Sequence, residues 1–282
     1  MNGLARPELL ATPEWIDDQL SHGDLRILDV RWRPDGTASQ VFDGGHVPGA
    51  VHLDWRAELN QEPGEDEGPA LRLASAERVA AAFSRAGVGD GSSVVLYDDT
   101  QSLYAARVWW TLRVYGFDSA RILDGGFPAW QSSRRPVSTA SLPHREGAFT
   151  PRLNPRLRLA TSDVRSLLGS PDVQILDARA GAEYRGFEGN ARRLGHIPGA
   201  INVPIGAMHE PGSQRLRGGD ELRAQVFAAN LARGRRMVCY DGSGIGAAKL
   251  AFVLTLLGHD DVAVYDGGWA DWGDRLDLPV ER

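Results

Sequence analysis

Gly45-His46-Val47-Pro48-Gly49-Ala50 returns 150 residues later as Gly195-His196-Ile197-Pro198-Gly199-Ala200. Around this pair the chain repeats itself in order. Leu28-Asp29-Val30-Arg31 matches Leu176-Asp177-Ala178-Arg179 at an offset of 148, and Tyr97-Asp98 matches Tyr240-Asp241 at 143. Leu123-Asp124-Gly125-Gly126 matches Tyr265-Asp266-Gly267-Gly268 at 142. Four markers in one order at a near-constant offset indicate a duplicated unit. The period is too long for a solenoid of ~20–50-residue repeats, so two copies of one domain are expected. A length of 282 residues agrees with that. The expected division is 1–135, a linker 136–158 and 159–282. The link falls in Ser132–Arg158, which is rich in Ser, Pro and Arg and has no apolar period.

Within each copy, short apolar runs alternate with helical spacing. In the first, Thr12-Pro13-Glu14 reads as a helix cap, a first-turn proline and a first-turn acid. Strands are expected at Leu25–Val30, Ser93–Tyr97 and Arg121–Leu123, and helices at Ala76–Ala86 and Ala105–Tyr115. The second copy predicts strands at Val173–Leu176, Met237–Tyr240 and Val262–Tyr265, with helices at Leu222–Leu231 and Ala247–Leu257. Such alternation implies an α/β fold, each copy a mainly parallel sheet flanked by helices. Ligands of these sheets bind beyond the carboxyl ends of the strands. That directs attention to the loops after Tyr97 and Tyr240.

Composition narrows the function classes. The net charge is −6, with 21 acids and 14 arginines in residues 1–150 against 16 acids and 17 bases in 151–282. Neither half has the basic balance of a nucleic-acid binder. Thirty of the 31 basic residues are Arg, which reads first as genome composition. One cysteine excludes an internal disulfide and a cysteine-built zinc site. No apolar run approaches the ~20 residues of a membrane span. Met1–Leu10 lacks a basic start followed by an apolar stretch, so a cytoplasmic protein is expected.

The loop Asp241-Gly242-Ser243-Gly244-Ile245-Gly246 joins a strand to a helix. Its three glycines let successive amides turn inward at a helix start, a cradle for an anion. It lacks the Gly-Lys-Ser/Thr ending of a P-loop and the glycine spacing of a dinucleotide fingerprint. Read alone, it serves equally as a tight structural turn.

With both Gly-His-x-Pro-Gly-Ala motifs, the stretch Tyr97–Trp110 and the ending Tyr265–Trp272, the chain resembles tandem-domain rhodaneses. These are the thiosulfate and 3-mercaptopyruvate sulfurtransferases. The resemblance spans nearly all of residues 10–282. It implies a silent first domain and a second domain with a cysteine at the head of the loop. That cysteine takes a sulfane sulfur from a small anionic donor and passes it to a thiol or cyanide. It implies no cofactor and no metal, a single chain as the unit, and neither nucleic acid nor membrane as partner. The Gly-Ser-Gly loop is similar to that of mercaptopyruvate-type members. Gly242, Ser243, Gly244, Ile245 and Gly246 are then the substrate-binding loop, and Arg185 is the expected contact to a substrate carboxylate. In mercaptopyruvate-type members a substrate arginine precedes the aromatic; here Glu183 stands there.

The chain departs from the pattern at the nucleophile. Aligned on Tyr240 and Gly242-Ser243-Gly244, that position is Asp241, the counterpart of Asp98 in the first copy. A carboxylate cannot carry sulfane sulfur as a thiolate does. It can accept hydrogen bonds from the cradle as a built-in anion. Cys239, two residues earlier, reads as a buried strand residue with a raised pKa. A phosphatase of the Cys-x5-Arg kind is disfavoured, since Ile245 stands where the arginine would be. The alternatives at this point are sulfur transfer through Cys239 as a substitute nucleophile or by an unrecognised route; a catalytically silent family member binding a small anion or a partner; and an enzyme using Asp241 as oxygen nucleophile or base. For the remaining residues, His46 and His196 are expected to brace tight turns, and Asp29 and Asp177 to bind backbone or arginine. Arg185 weighs against a solvated loop or an Arg179–Glu183 ion pair. Trp109, Trp110, Trp130, Trp269 and Trp272 are expected in the core or between domains.

Overall fold

Strand and helix alternate in both halves as the apolar spacing predicts. The computed structural model describes residues 3–61, 71–141, 144–228, 231 and 234–282. The first sheet consists of β1 (Leu10–Ala11), β2 (Leu25–Asp29), β3 (Ala50–His52), β4 (Ser93–Tyr97) and β5 (Ala120–Leu123), in the order β1-β5-β4-β2-β3. The second consists of β6 (Arg158–Leu159), β7 (Val173–Asp177), β8 (Ile201–Asn202), β9 (Arg236–Tyr240) and β10 (Val262–Tyr265), in the order β6-β10-β9-β7-β8. All pairings are parallel. The register is also duplicated: Asp29 lies opposite Tyr97, and Asp177 opposite Tyr240.

Local chemistry sets the helix starts. The Thr12 hydroxyl accepts the Trp15 amide at 3.2 Å, with Pro13 in the first turn. Ser75 caps the helix Ala76–Arg85 in the same way. The expected helix at Leu222–Leu231 runs instead over Gly219–Ala228; its expected end includes residues 229–230, which lie outside the described residues. The helices Leu103–Val114 and Ile245–Leu256 follow β4 and β9 and pack on each other. Both are buried nearly all round, because each is covered by its own sheet on one side and by the other domain opposite. The Trp109 ring meets Phe252 edge-on at 4.9 Å between centroids. One apolar core therefore runs through both domains, from Leu28 and Leu96 to Cys239 and Val264. The other faces of the sheets hold separate cores around Trp130 and Trp272.

Between Ser132 and Arg158 no helix or strand occurs among the described residues. The segment is nevertheless fastened to the first domain. Ser138 exchanges backbone hydrogen bonds with His46, Gly147 donates to Ser84 O, and Asn154 donates to Val114 O at 2.7 Å. Phe149 is buried against Phe83 and Phe117. No helix among the described residues is long and apolar enough to cross a membrane.

Candidate functional site

The four repeated markers meet in space. In the first domain the Arg31 guanidinium grips the Asp29 carboxylate at 2.5 Å and donates to Gly45 O at 2.8 Å. The Tyr97 hydroxyl donates to Asp29 at 2.7 Å and accepts the Val47 amide. In the second, Arg179 grips Asp177 at 2.5 Å and donates to Gly195 O at 2.8 Å, while the Tyr240 hydroxyl accepts the Ile197 amide at 3.1 Å. Each arginine also lies over an aromatic ring, Arg31 over Phe127 and Arg179 over Trp269. His46 and His196 bond the carbonyls of Phe42 and Tyr184 through Nδ1, bracing their turns. These motifs thus build a buried polar knot behind each loop, with its charges paired and hydrogen-bonded.

The Arg179–Glu183 ion pair weighed as an alternative does not form: Arg179 is 6% exposed and held by Asp177, while Glu183 Oε2 accepts the Ala180 amide at 3.3 Å.

The Asp-Gly-Gly markers support the loops from below. A Cβ at Gly126 would stand 2.2 Å from Asp98 O, and one at Gly268 would stand 2.6 Å from Asp241 O. Each of these glycines has φ +58. Only glycine permits that approach and that backbone. Trp269 N then donates to Asp241 O at 2.7 Å, as Phe127 N does to Asp98 O at 2.9 Å.

Above that support, Asp241 turns its carboxylate into its own cradle. Oδ1 accepts the amides of Ser243 and Gly244, and Oδ2 accepts Gly246 at 2.9 Å. Burial raises the carboxyl above its ordinary value, and these amides act in the opposite sense. Gly246 carries no side chain because Asp241 Oδ2 and Ile205 Cδ1 lie about where one would begin. The loop amides thus meet the Asp241 carboxylate in the geometry a seated carboxylate requires. Asp98 does the same with the amides of Thr100, Ser102, Tyr104 and Ala105.

Cys239 is fully buried. Alternation along β9 points Met237 and Cys239 into the interdomain core and Val238 and Tyr240 to the opposite face. Burial pushes its thiol well above the ordinary range.

A cavity of about 540 Å³ opens at the loop. Asp241, Gly242, Ser243, Ile245 and Gly246 line it, facing Leu103 and Tyr104 from the first domain. A smaller cavity of about 300 Å³ lies on the other side of Gly242, Ser243 and Glu183. Arg185, expected at the substrate, lines neither. It is exposed, with its guanidinium 5.4 Å from the Phe187 ring centroid. The short helix Gly181–Tyr184 ends just before it, and the Arg185 guanidinium lies back beside Gly181. A separate cavity of about 530 Å³ lies near Arg72, Arg158 and Thr161, its arginines paired with Asp271 and Asp266. Among the described residues no group of three or more His, Cys, Asp or Glu is placed to hold a metal.

Two residues outside the sequence reading shape the site. Arg107 crosses from the first domain to Asp266 Oδ1 at 2.8 Å and Gly244 O at 3.3 Å, bracing the second loop. At the 142-residue offset its counterpart is Lys249, 3.4 Å from His209 Nδ1. The signal was available: Lys249 is the only charged residue in the helix Ile245–Leu256.

Comparison with known proteins agrees with this geometry. The model of the rhodanese-like domain matches residues 12–133 and again 160–275. The chain is 32% identical over 275 residues to a 3-mercaptopyruvate sulfurtransferase of Escherichia coli, covering 95% of this chain and 96% of that one. It is 34% identical over 290 residues to a putative thiosulfate sulfurtransferase, SseB, of Mycobacterium tuberculosis, covering 99% and 98%. The crystal structure of the 3-mercaptopyruvate sulfotransferase SseA from Escherichia coli superposes with a TM-score of 0.83 at 30% identity, over 93% of this chain and 99% of that one.

Proposed function

This chain belongs to the rhodanese-like family, and on that premise we propose that it is a sulfurtransferase-family protein whose persulfide chemistry is silent. Its loop serves as a closed frame beside a binding cleft. The observation that carries this reading is the Asp241 carboxylate seated on the amides of Ser243, Gly244 and Gly246. In persulfide transfer a thiolate attacks the donor's outer sulfur, and the donor leaves with the electron pair. Asp241 offers no sulfur for that step. Its charge also fills the place where a donor's negative charge would be received. Cys239 offers sulfur, but it is fully buried in the interdomain core, its thiol is held protonated, and it does not line the cleft.

The test is thiocyanate formation from cyanide with thiosulfate or 3-mercaptopyruvate as donor. Wild type is expected to be inert, and its intact mass is expected to show no gain of about 32 Da after donor treatment. Turnover by wild type that disappears in Cys239→Ser would overturn the proposal. Turnover that survives Cys239→Ser and vanishes in Asp241→Asn would point instead to Asp241 as an oxygen nucleophile.

A further inference from the structure

The charge facing the cleft is negative. Its walls are apolar, formed by Leu103 and Tyr104 on one side and Pro204, Ile205 and Ile245 on the other. Three charged side chains line it: Arg179, Glu183 and Asp241. Arg179 is matched within the wall, with its guanidinium on Asp177 and Gly195 O and its face over Trp269. Asp241 is matched by three loop amides. Glu183 has no such match. Its one hydrogen bond is the 3.3 Å contact from Ala180 N, and no ion pair joins it among the described residues. It stands between the two cavities and lines both.

An anion entering here meets the unmatched carboxylate of Glu183 and finds the amide seat taken. A cation on an apolar body meets the opposite. Its body covers apolar wall, its charge faces Glu183, and the aromatic ring of Tyr104 lines the same cleft. Tyr104 is held for that role by stacking on Trp55 at 5.0 Å and by its edge contact with Trp32. We propose that the cleft beside Asp241 binds a small organic monocation, an amine or quaternary ammonium on an apolar body, held by Glu183 and Tyr104. This inference rests on the closed loop described under the proposed function.

Isothermal titration of the full chain tests it with three probes. These are benzyltrimethylammonium as the cation, phenylpyruvate as an anion of similar size, and inorganic sulfate as a probe of the amide seat. The cation is expected to bind at least about ten-fold more tightly than phenylpyruvate. Glu183→Gln, a change at a partly exposed residue, is expected to weaken the cation at least about five-fold without moving Tm. Glu183→Arg is expected to reverse the preference. Equal binding of cation and phenylpyruvate, no cation binding up to about 10 mM, or unchanged affinity in Glu183→Gln overturns the inference and leaves the closed loop standing. Sulfate binding as tightly as the cation overturns the closed loop itself, and this inference with it.

Discussion

The loops after Tyr97 and Tyr240 are built alike and end in different surroundings. Both turn an aspartate back onto their own amides, and both rest on an Asp-Gly-Gly support. In the first copy Asp98 is 1% exposed, and the second domain lies on the loop, where Gln101 N donates to Gln214 Oε1 at 2.6 Å. That loop uses Gln101 and Ser102 at φ 58 and 59, where the second has Gly244 at φ 85. Non-glycine residues there cost on the order of 1 kcal/mol each. The second loop is partly exposed and faces a cavity of about 540 Å³. Duplication thus supplied two equal frames, and the way one domain covers the other left one of them open.

The largest expected effect breaks the symmetry at the nucleophile. Asp241→Cys places a thiol on the amides at the cavity and is expected to raise thiocyanate formation at least about 100-fold over wild type. Asp98→Cys, equally placed in its own frame but buried, is expected to stay at background. Equal gains in the two variants would show that burial is not what separates the loops.

A second contrast lies in the crossing cations. Arg107→Met removes the guanidinium from the buried Asp266 and is expected to cost about 3–5 kcal/mol in denaturant unfolding. Lys249→Met removes a buried cation without a carboxylate partner at bonding distance, and is expected to lie within about 1 kcal/mol of wild type at pH 7.

The pH dependence sharpens the same contrast. Burial lowers Lys249 from 10.5 to about 8, with Asp98 opposing the shift. Between those values the unfolded chain holds a proton that the folded chain has released. Wild type therefore gains stability relative to Lys249→Met as pH rises from about 8, by up to about 3 kcal/mol. His209 is lowered from 6.5 to about 3 by burial and by Lys249. Its share of stability is lost as pH falls below 6.5, and His209→Asn is expected to flatten that part of the acid unfolding curve. An unchanged acid limb would remove His209 from this account.

The smallest effect on turnover concerns Cys239. Cys239→Ser sets a hydroxyl in an apolar core and is expected to cost about 1–3 kcal/mol. In the Asp241→Cys background it is expected to leave turnover unchanged. A matching loss of turnover would return Cys239 to the chemistry.

Much of the frame was legible in the sequence. The runs that became β2, β4, β7, β9 and β10 are four or five residues long and apolar enough to mark themselves. The edge strands β1, β3, β6 and β8 have two or three residues each, too few for any period to register. The hydrogen bonds from the loop amides to Asp241 followed from a carboxylate heading a glycine loop, and the turn histidines followed from their Pro-Gly surroundings. The arginines were less legible. Arg185 looked available and lies outside the cleft, while Arg179 lines it with its charge already matched. Spacing reports which residues share a face, and it carries no record of which charge has found a partner elsewhere.

The sequence by itself determined that the chain is a duplicated parallel α/β unit and that both loops begin with aspartate. These are properties of order and local pattern. Only the tertiary structure decided that Cys239 faces the interdomain core, that Arg107 braces the opposite domain's loop, and that Glu183 stands unmatched between two cavities. Each depends on contacts between residues far apart in the chain. Alternation offers two faces of a strand, and in β9 both are buried, one of them in the core shared with the other domain.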